Sequence, residues 1–344
     1  MKTKNNGFGK IIGLALAAAI VPVAVQAVPA YHLLQEIAVG GEGGWDYLAA
    51  DAGARRLYVS HATKVEVIDL DKESVVGEIA DTPGVHGVAI ADELGRLFVS
   101  DGKENKAAIV DAKTLKTLSK VETGTNPDAI LYNPKQQEVY TFNGRSASST
   151  VFDGKSGKVV ATIPLGGKPE FAAVDPAAGR VYDTIEDKSE VVAIDAKTHT
   201  IVKHWPIAPG EAGSGLAIDL AHHRIFVGCD NQLIVMLDSE SGKVVGSVPI
   251  GDGVDAVAFD PGTQMVFASC GDGTTTIAHE DAPDKLTPVQ TLTTEKGART
   301  MALDAKTHRI YLSSAQFQPL PPNAPPHTWR KAVSGTFKVL VYGN

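Results

Sequence analysis

Seven times in this chain, once every 40 to 44 residues, the same pattern recurs. Each copy opens with a polar residue ahead of a short apolar run. The openers are Asp46, His86, Asp128, Glu170, Ser214, Asp255 and Arg299. A turn follows, then a run such as Leu57-Tyr58-Val59, then an aliphatic segment ending in Asp, a polar turn and a last aliphatic segment. β-branched and aromatic residues fill the runs, while Gly, Asp, Asn, Pro and Lys fill the joints, which is strand and turn chemistry. No stretch after residue 30 sustains the three-and-four spacing of a helix. A period near 40 with four short strands per unit specifies a β-propeller, one blade per repeat. The expected fold is therefore all-β: a seven-bladed β-propeller of four-stranded antiparallel blades. The repeats leave no room for a linker, so residues 31–344 read as one domain.

The last repeat is short by one strand. Phe337-Lys338-Val339-Leu340-Val341-Tyr342 reads as a third strand with no fourth after it, whereas Leu34 to Gly40 reads like the fourth-strand segments 160–166 and 245–251. The N-terminal strand is expected to close the last blade.

Ahead of that strand, Lys2, Lys4 and Lys10 precede an apolar run from Ile11 to Val25 and the small-residue sequence Val25-Gln26-Ala27. This is the pattern of a secretory signal peptide over residues 1–27, cleaved after Ala27. Pro22 interrupts the run, which is short of the roughly 20 residues a membrane span needs. The chain is expected to be periplasmic or secreted, with no membrane span once processed, and monomeric. A formal charge of −8 argues against nucleic acid as a partner. Cys229 and Cys270 occupy equivalent places in neighbouring repeats, whose second strands should diverge beyond the roughly 7 Å a disulfide tolerates, so both are expected to be free thiols, at least partly buried.

The copies resemble the YVTN-repeat (YncE-like) seven-bladed propellers of exported bacterial proteins. The carriers include Leu57-Tyr58-Val59-Ser60-His61, Leu97-Phe98-Val99-Ser100-Asp101, Ile310-Tyr311-Leu312-Ser313-Ser314 and Val192-Ala193-Ile194-Asp195. The resemblance implies a scaffold class. Its wider relatives include binding proteins, non-catalytic subunits of periplasmic dehydrogenases, and metal-dependent lactonases and lyases. Lactonase-type relatives hold Ca²⁺ with Glu, Asn and Asp, types that Glu170, Asn143 and Asp255 supply here. In WD-type propellers a Trp-Asp pair closes the third strand, but here Trp45-Asp46 opens a repeat. With three Trp in all, the chain lacks the tryptophan-docking repeats of quinone-dependent dehydrogenases.

In a propeller the innermost strands line a central channel, and the seven openers should ring one mouth of it. Second strands end on the same side and are expected to add His61, Asp101, Asn143, Glu186, Asp230, Asp272 and Gln316. The candidate ligand-binding set is Asp46, His61, His86, Asp101, Asp128, Asn143, Glu170, Asp255 and Arg299. Asp46, His61 and His86 are the candidate metal ligands. Clustered oxygens suit Ca²⁺ or Mg²⁺, and imidazole beside carboxylate suits Mn²⁺, Zn²⁺ or Cu²⁺. No nucleophile elbow, P-loop or dinucleotide fingerprint is present.

These features point to an exported binding or interaction protein whose small polar ligand, or periplasmic protein partner, sits at an acidic mouth. A metal-dependent lactonase or lyase at the same place, and a non-catalytic dehydrogenase subunit, stay open. His222-His223 reads as a solvated turn on the opposite face, and 280–287 as a lengthened turn there. A Pro-rich segment, 316–335, carrying His327, Trp329, Arg330 and Lys331, should emerge over the mouth as a surface excursion or a lid.

Overall fold

The computed structural model describes residues 1–3, 30–321, 323 and 330–344. The expected signal peptide lies almost wholly outside them, as do His327 and Trp329 of the Pro-rich segment. Seven four-stranded antiparallel sheets follow one another along the chain. Among the described residues the only helical turns are two single 3₁₀ turns, Asp92–Leu94 and Glu186–Lys188. No helix of the described residues is long and apolar enough to cross a membrane.

The third blade shows how a repeat becomes a sheet. Its strands are Pro127–Asn133, Glu138–Asn143, Ser148–Asp153 and Val159–Pro164, paired in order. The middle two are buried almost throughout, and the outermost is exposed along most of its length. Asp153 ends the third strand by accepting the Ser156 N–H at 2.7 Å. Asp69, Asp111, Asp195 and Asp238 do the same in their blades. These Asx turns explain why each aliphatic run stops at Asp.

Neighbouring blades share their apolar faces. Tyr140 and Phe142 of blade three pack with Val181, Ile185, Val192 and Ile194 of blade four, and equivalent clusters repeat around the molecule. Cys229 and Cys270 are free and fully buried within these layers.

The ring closes as the sequence predicts. His32–Ala38 pairs antiparallel with Lys338–Gly343 as the outermost strand of the seventh blade. Tyr31, just ahead of it, is 3% exposed. Its hydroxyl donates to the His308 carbonyl at 2.6 Å and its ring meets Phe267 edge-on at 5.2 Å. The N-terminal segment therefore joins blades six and seven from the outside.

Candidate functional site

A backbone irregularity aims the openers. In blade two Val85 pairs with Asp101 and Val88 with Val99, so the ladder breaks across His86 and Gly87. The same break falls at Asp128, Glu170, Ser214 and Asp255. Such bulges turn a side chain out of the pleat. A hydroxyl on the second strand fills the gap. Ser100 Oγ accepts the Gly87 N–H at 2.8 Å and donates to the carbonyl of Asp128, the next opener, at 2.6 Å. Thr184 serves Phe171 and Ser214 in the same way, at 3.0 and 2.9 Å. Blades two and four thus fix their neighbour's opener as well as their own.

Two openers converge on the imidazole of a third. His86 Nδ1 donates to Asp46 Oδ2 at 2.6 Å and stands 3.5 Å from Asp128 Oδ1. One ligand atom from each of Asp46, His86 and Asp128 falls within 4.8 Å of the others. Farther round, Arg299 Nε lies 3.3 Å from Asp255 Oδ2, and the Ser214 hydroxyl faces Asp255. Glu170 pairs with Lys168, which it shares with Glu186.

Tyr47, which the sequence reading passed over, crosses the axis. Its hydroxyl donates to the Glu170 carbonyl of blade four at 3.2 Å, and its ring meets Phe171 at 5.3 Å. The residue after the opener is Tyr47, Gly87, Ala129, Phe171, Gly215, Ala256 and Thr300 in turn. The two bulky members stand three blades apart and touch; the small ones make room. That column was the available signal.

The ring holds protons tightly. Burial works against charge on His86, but the hydrogen bond to Asp46 and the charges of Asp128, Asp46 and Glu170 outweigh it and raise the imidazole to about 8. Burial raises Asp128 to about 6 despite His86, and Glu170 to about 8 despite Lys168. Asp46 and Asp255 are also raised, chiefly by burial. Burial and four surrounding carboxylates lift the Tyr47 phenol well above its usual range. Beneath Glu170, burial pushes the Asp183 carboxyl well above its usual range; it is fully buried, and neither oxygen has a hydrogen-bond partner among the described residues. Every shift runs toward binding a proton, which is what a site short of positive charge does.

His61, Asp101 and Asn143 do not join this ring. The second strand runs outside the first, and its last side chain turns between blades instead of toward the axis. His61 is 1% exposed, packs on Phe337 and faces Glu66 at 3.3 Å. Asp101 pairs with Lys120 at 3.5 Å, and burial raises its carboxyl to about 7. Asn143 bonds Ser148 and Thr150 inside its own blade. Of the candidate metal ligands, Asp46 and His86 meet; the third donor beside them is Asp128, not His61.

A pocket of about 1240 Å³ adjoins the ring at blades seven and one. Trp45, Phe317 and Phe337 form its apolar wall, and Lys296, Arg299 and Arg330 bring positive charge. The described base of the 316–335 segment is a small hairpin in which the Gln318 N–H donates to the Lys331 carbonyl at 2.8 Å. It rests on the first blade through a tilted Trp45–Phe317 ring contact at 5.9 Å and the Ser334–Glu42 hydrogen bond.

No protein-family model matches the chain, and no curated protein does. Solved structures match its architecture. A chain of Kuenenia stuttgartiensis hydrazine synthase superposes with a TM-score of 0.69 at 16% identity, covering 79% of this chain and 92% of that one. A chain of the mitotic checkpoint complex superposes with a TM-score of 0.74 at 15% identity, covering 88% and 95%. At such identities the likeness is one of fold, and that fold is the seven-bladed β-propeller.

Proposed function

We propose that this is an exported binding protein of the YVTN-repeat (YncE-like) type, whose acidic ring takes a small cationic ligand. The supporting observation is the convergence of Asp46, Asp128, Glu170 and Asp255 around Tyr47, each carboxyl raised toward its protonated form. A cation entering there displaces protons and gains the carboxylates' full charge. The Tyr47–Phe171 pair adds ring faces that favour an ammonium group. Divalent ions fit the same oxygens, with His86 as a nitrogen donor once it has lost its proton.

Calorimetric titration with Ca²⁺, Mn²⁺ and tetramethylammonium tests this. One cation per chain is expected, weakened at least about tenfold in Asp128→Asn. Failure of all three to bind, or binding that ignores the substitution, rejects the reading. Export is tested by N-terminal sequencing of the secreted chain, which should begin at Val28.

The grouping of Asp46, His86 and Asp128 within 4.8 Å favours a second reading, a metal-dependent lactonase or lyase. Glu170, raised to about 8, is then the group suited to proton transfer. Metal-loaded protein that turns over no lactone removes it. A periplasmic pull-down that recovers no dehydrogenase removes the role of accessory subunit.

A further inference from the structure

The first strand of blade five begins near Ser214 at the mouth and ends at Asp219, on the opposite face. In blades six and seven the strand-ending Asp at this level is served by cationic and hydroxyl groups. Asp260 Oδ2 receives the Thr263 hydroxyl and His308 Nδ1 from the next blade, both at 2.7 Å. Asp304 Oδ2 receives the Thr307 hydroxyl at 2.7 Å and Arg55 of the next blade at 2.6 Å. For Asp219 the position equivalent to Arg55 and His308 is Gln264, whose amide N–H turns to the Pro261 carbonyl instead. The position equivalent to Thr263 and Thr307 is His222.

What the next blade offers Asp219 is a second acid. Glu280 occupies the position that is Leu70, Ala112, Gly154, Ala196 and Ser239 elsewhere, identified by its N–H donating to the Gln264 carbonyl as theirs do to equivalent turns. It sits where the third and fourth strands of blade six, Thr274–Ala282 and Lys285–Thr293, run to nine residues each. The Glu280 side chain is 0% exposed and Asp219 is 2% exposed. His222 Nδ1 lies 2.7 Å from Asp219 Oδ2 and 3.5 Å from Glu280 Oε2. These contacts are close without being aligned as hydrogen bonds. Asp219 Oδ2, both Glu280 oxygens and His222 Nδ1 are buried and have no hydrogen-bond partner among the described residues. Nor does any described Lys or Arg pair with either carboxylate.

Two buried carboxylates facing one imidazole nitrogen, all three donor atoms within 4.8 Å, make a preformed ligand set in search of a cation. We propose that Asp219, His222 and Glu280 bind a divalent transition-metal ion of the zinc class, with His222, 39% exposed, as the entry side and solvent at the open position. One nitrogen and two carboxylates with a free fourth place is an ordinary Zn²⁺ donor set. The site clips the turn of blade five to the extended hairpin of blade six, so metal is expected to stabilise the ring. It is independent of the mouth, on which the functional reading rests.

The test uses the mature chain without an affinity tag, stripped of metal and titrated with Zn²⁺ against a chromogenic chelator. Because the mouth also offers nitrogen and oxygen donors, the titration is repeated in His86→Ala. One Zn²⁺ should remain in that variant. Adding His222→Ala or Glu280→Ala should weaken it by about ten- to a hundredfold and abolish the rise in melting temperature with Zn²⁺. Both substitutions install residues that other blades carry at these positions, Ala54 and Ala178 or Ala112 and Ala196, so folding should survive and the metal-free melt checks it. No Zn²⁺ bound at about 0.1 mM overturns the proposal. So does a titration indifferent to His222 and Glu280, or one lost with His86 alone. In those cases the carboxylates share a proton instead.

Discussion

The hydroxyl of Tyr47, in the first blade, donates to the main-chain carbonyl of Glu170, in the fourth, across 3.2 Å. Residues 123 apart in sequence meet there because the ring brings opposite blades to one axis. The contact does two things. It fills the channel at the level of the acidic openers, and it places a phenol that stays protonated among four carboxylates.

Removing that hydroxyl should cost little and removing the ring should cost more. Tyr47→Phe is expected to lose about 1 kcal/mol, the net value of one hydrogen bond, and Tyr47→Ala about 3 kcal/mol through lost packing on Phe171. Urea denaturation measures both. An alanine variant as stable as the parent would mean that the cross-axis contact supports nothing.

Closure by the N-terminal strand predicts a severe truncation phenotype. Deleting residues 30–38 strips the outermost strand from blade seven and exposes the edge of Lys338–Gly343. The melting temperature should fall sharply and the chain should associate. Tyr31→Ala alone should cost about 3 kcal/mol, since it removes a buried ring and the bond to His308. A truncated chain that melts like the parent would exclude closure by this strand.

Gly102 backs the imidazole. A Cβ there would lie 2.6 Å from His86 Nε2 and 3.1 Å from the Gly84 carbonyl. Gly102→Ala should push the ring off Asp46, weaken divalent-ion binding at the mouth above about pH 8 as much as His86→Ala does, and lower the melting temperature near pH 6 as His86→Gln does. Unchanged binding would show that the imidazole has room to spare.

The protonated mouth makes stability depend on pH in a set direction. His86 rises from an ordinary value near 6.5 to about 8 in the folded chain, so its contribution is complete below pH 6.5 and is lost as pH climbs through 8. Comparing His86→Gln with the parent by thermal melts, the deficit should be largest near pH 6 and should vanish by about pH 9. A deficit of constant size across that range would mean the imidazole is not charged in the fold.

The blades, their closure and the convergence of the openers were legible because each follows from a repeated pattern. Seven strand-opening polar residues at one period fix a ring whatever else the chain does. The second-strand ends were not legible. His61, Asp101 and Asn143 share the period, but which way a strand's last side chain turns depends on the bulge beside it and on what covers it. Tyr47 and Glu280 were missed for the opposite reason, that each breaks its column. Tyr47 is bulky where Gly87, Ala129 and Gly215 are small. Glu280 is charged where Leu70, Ala112 and Ala196 are apolar.

The most direct test follows the His86 imidazole by NMR through pH 5 to 10, its signal assigned by its absence from His86→Gln. A midpoint near 8 is predicted, falling in both Asp46→Asn and Asp128→Asn, because carboxylates from two other blades hold that proton in place. A midpoint at or below 6.5 that neither substitution moves would contradict the shared acidic mouth.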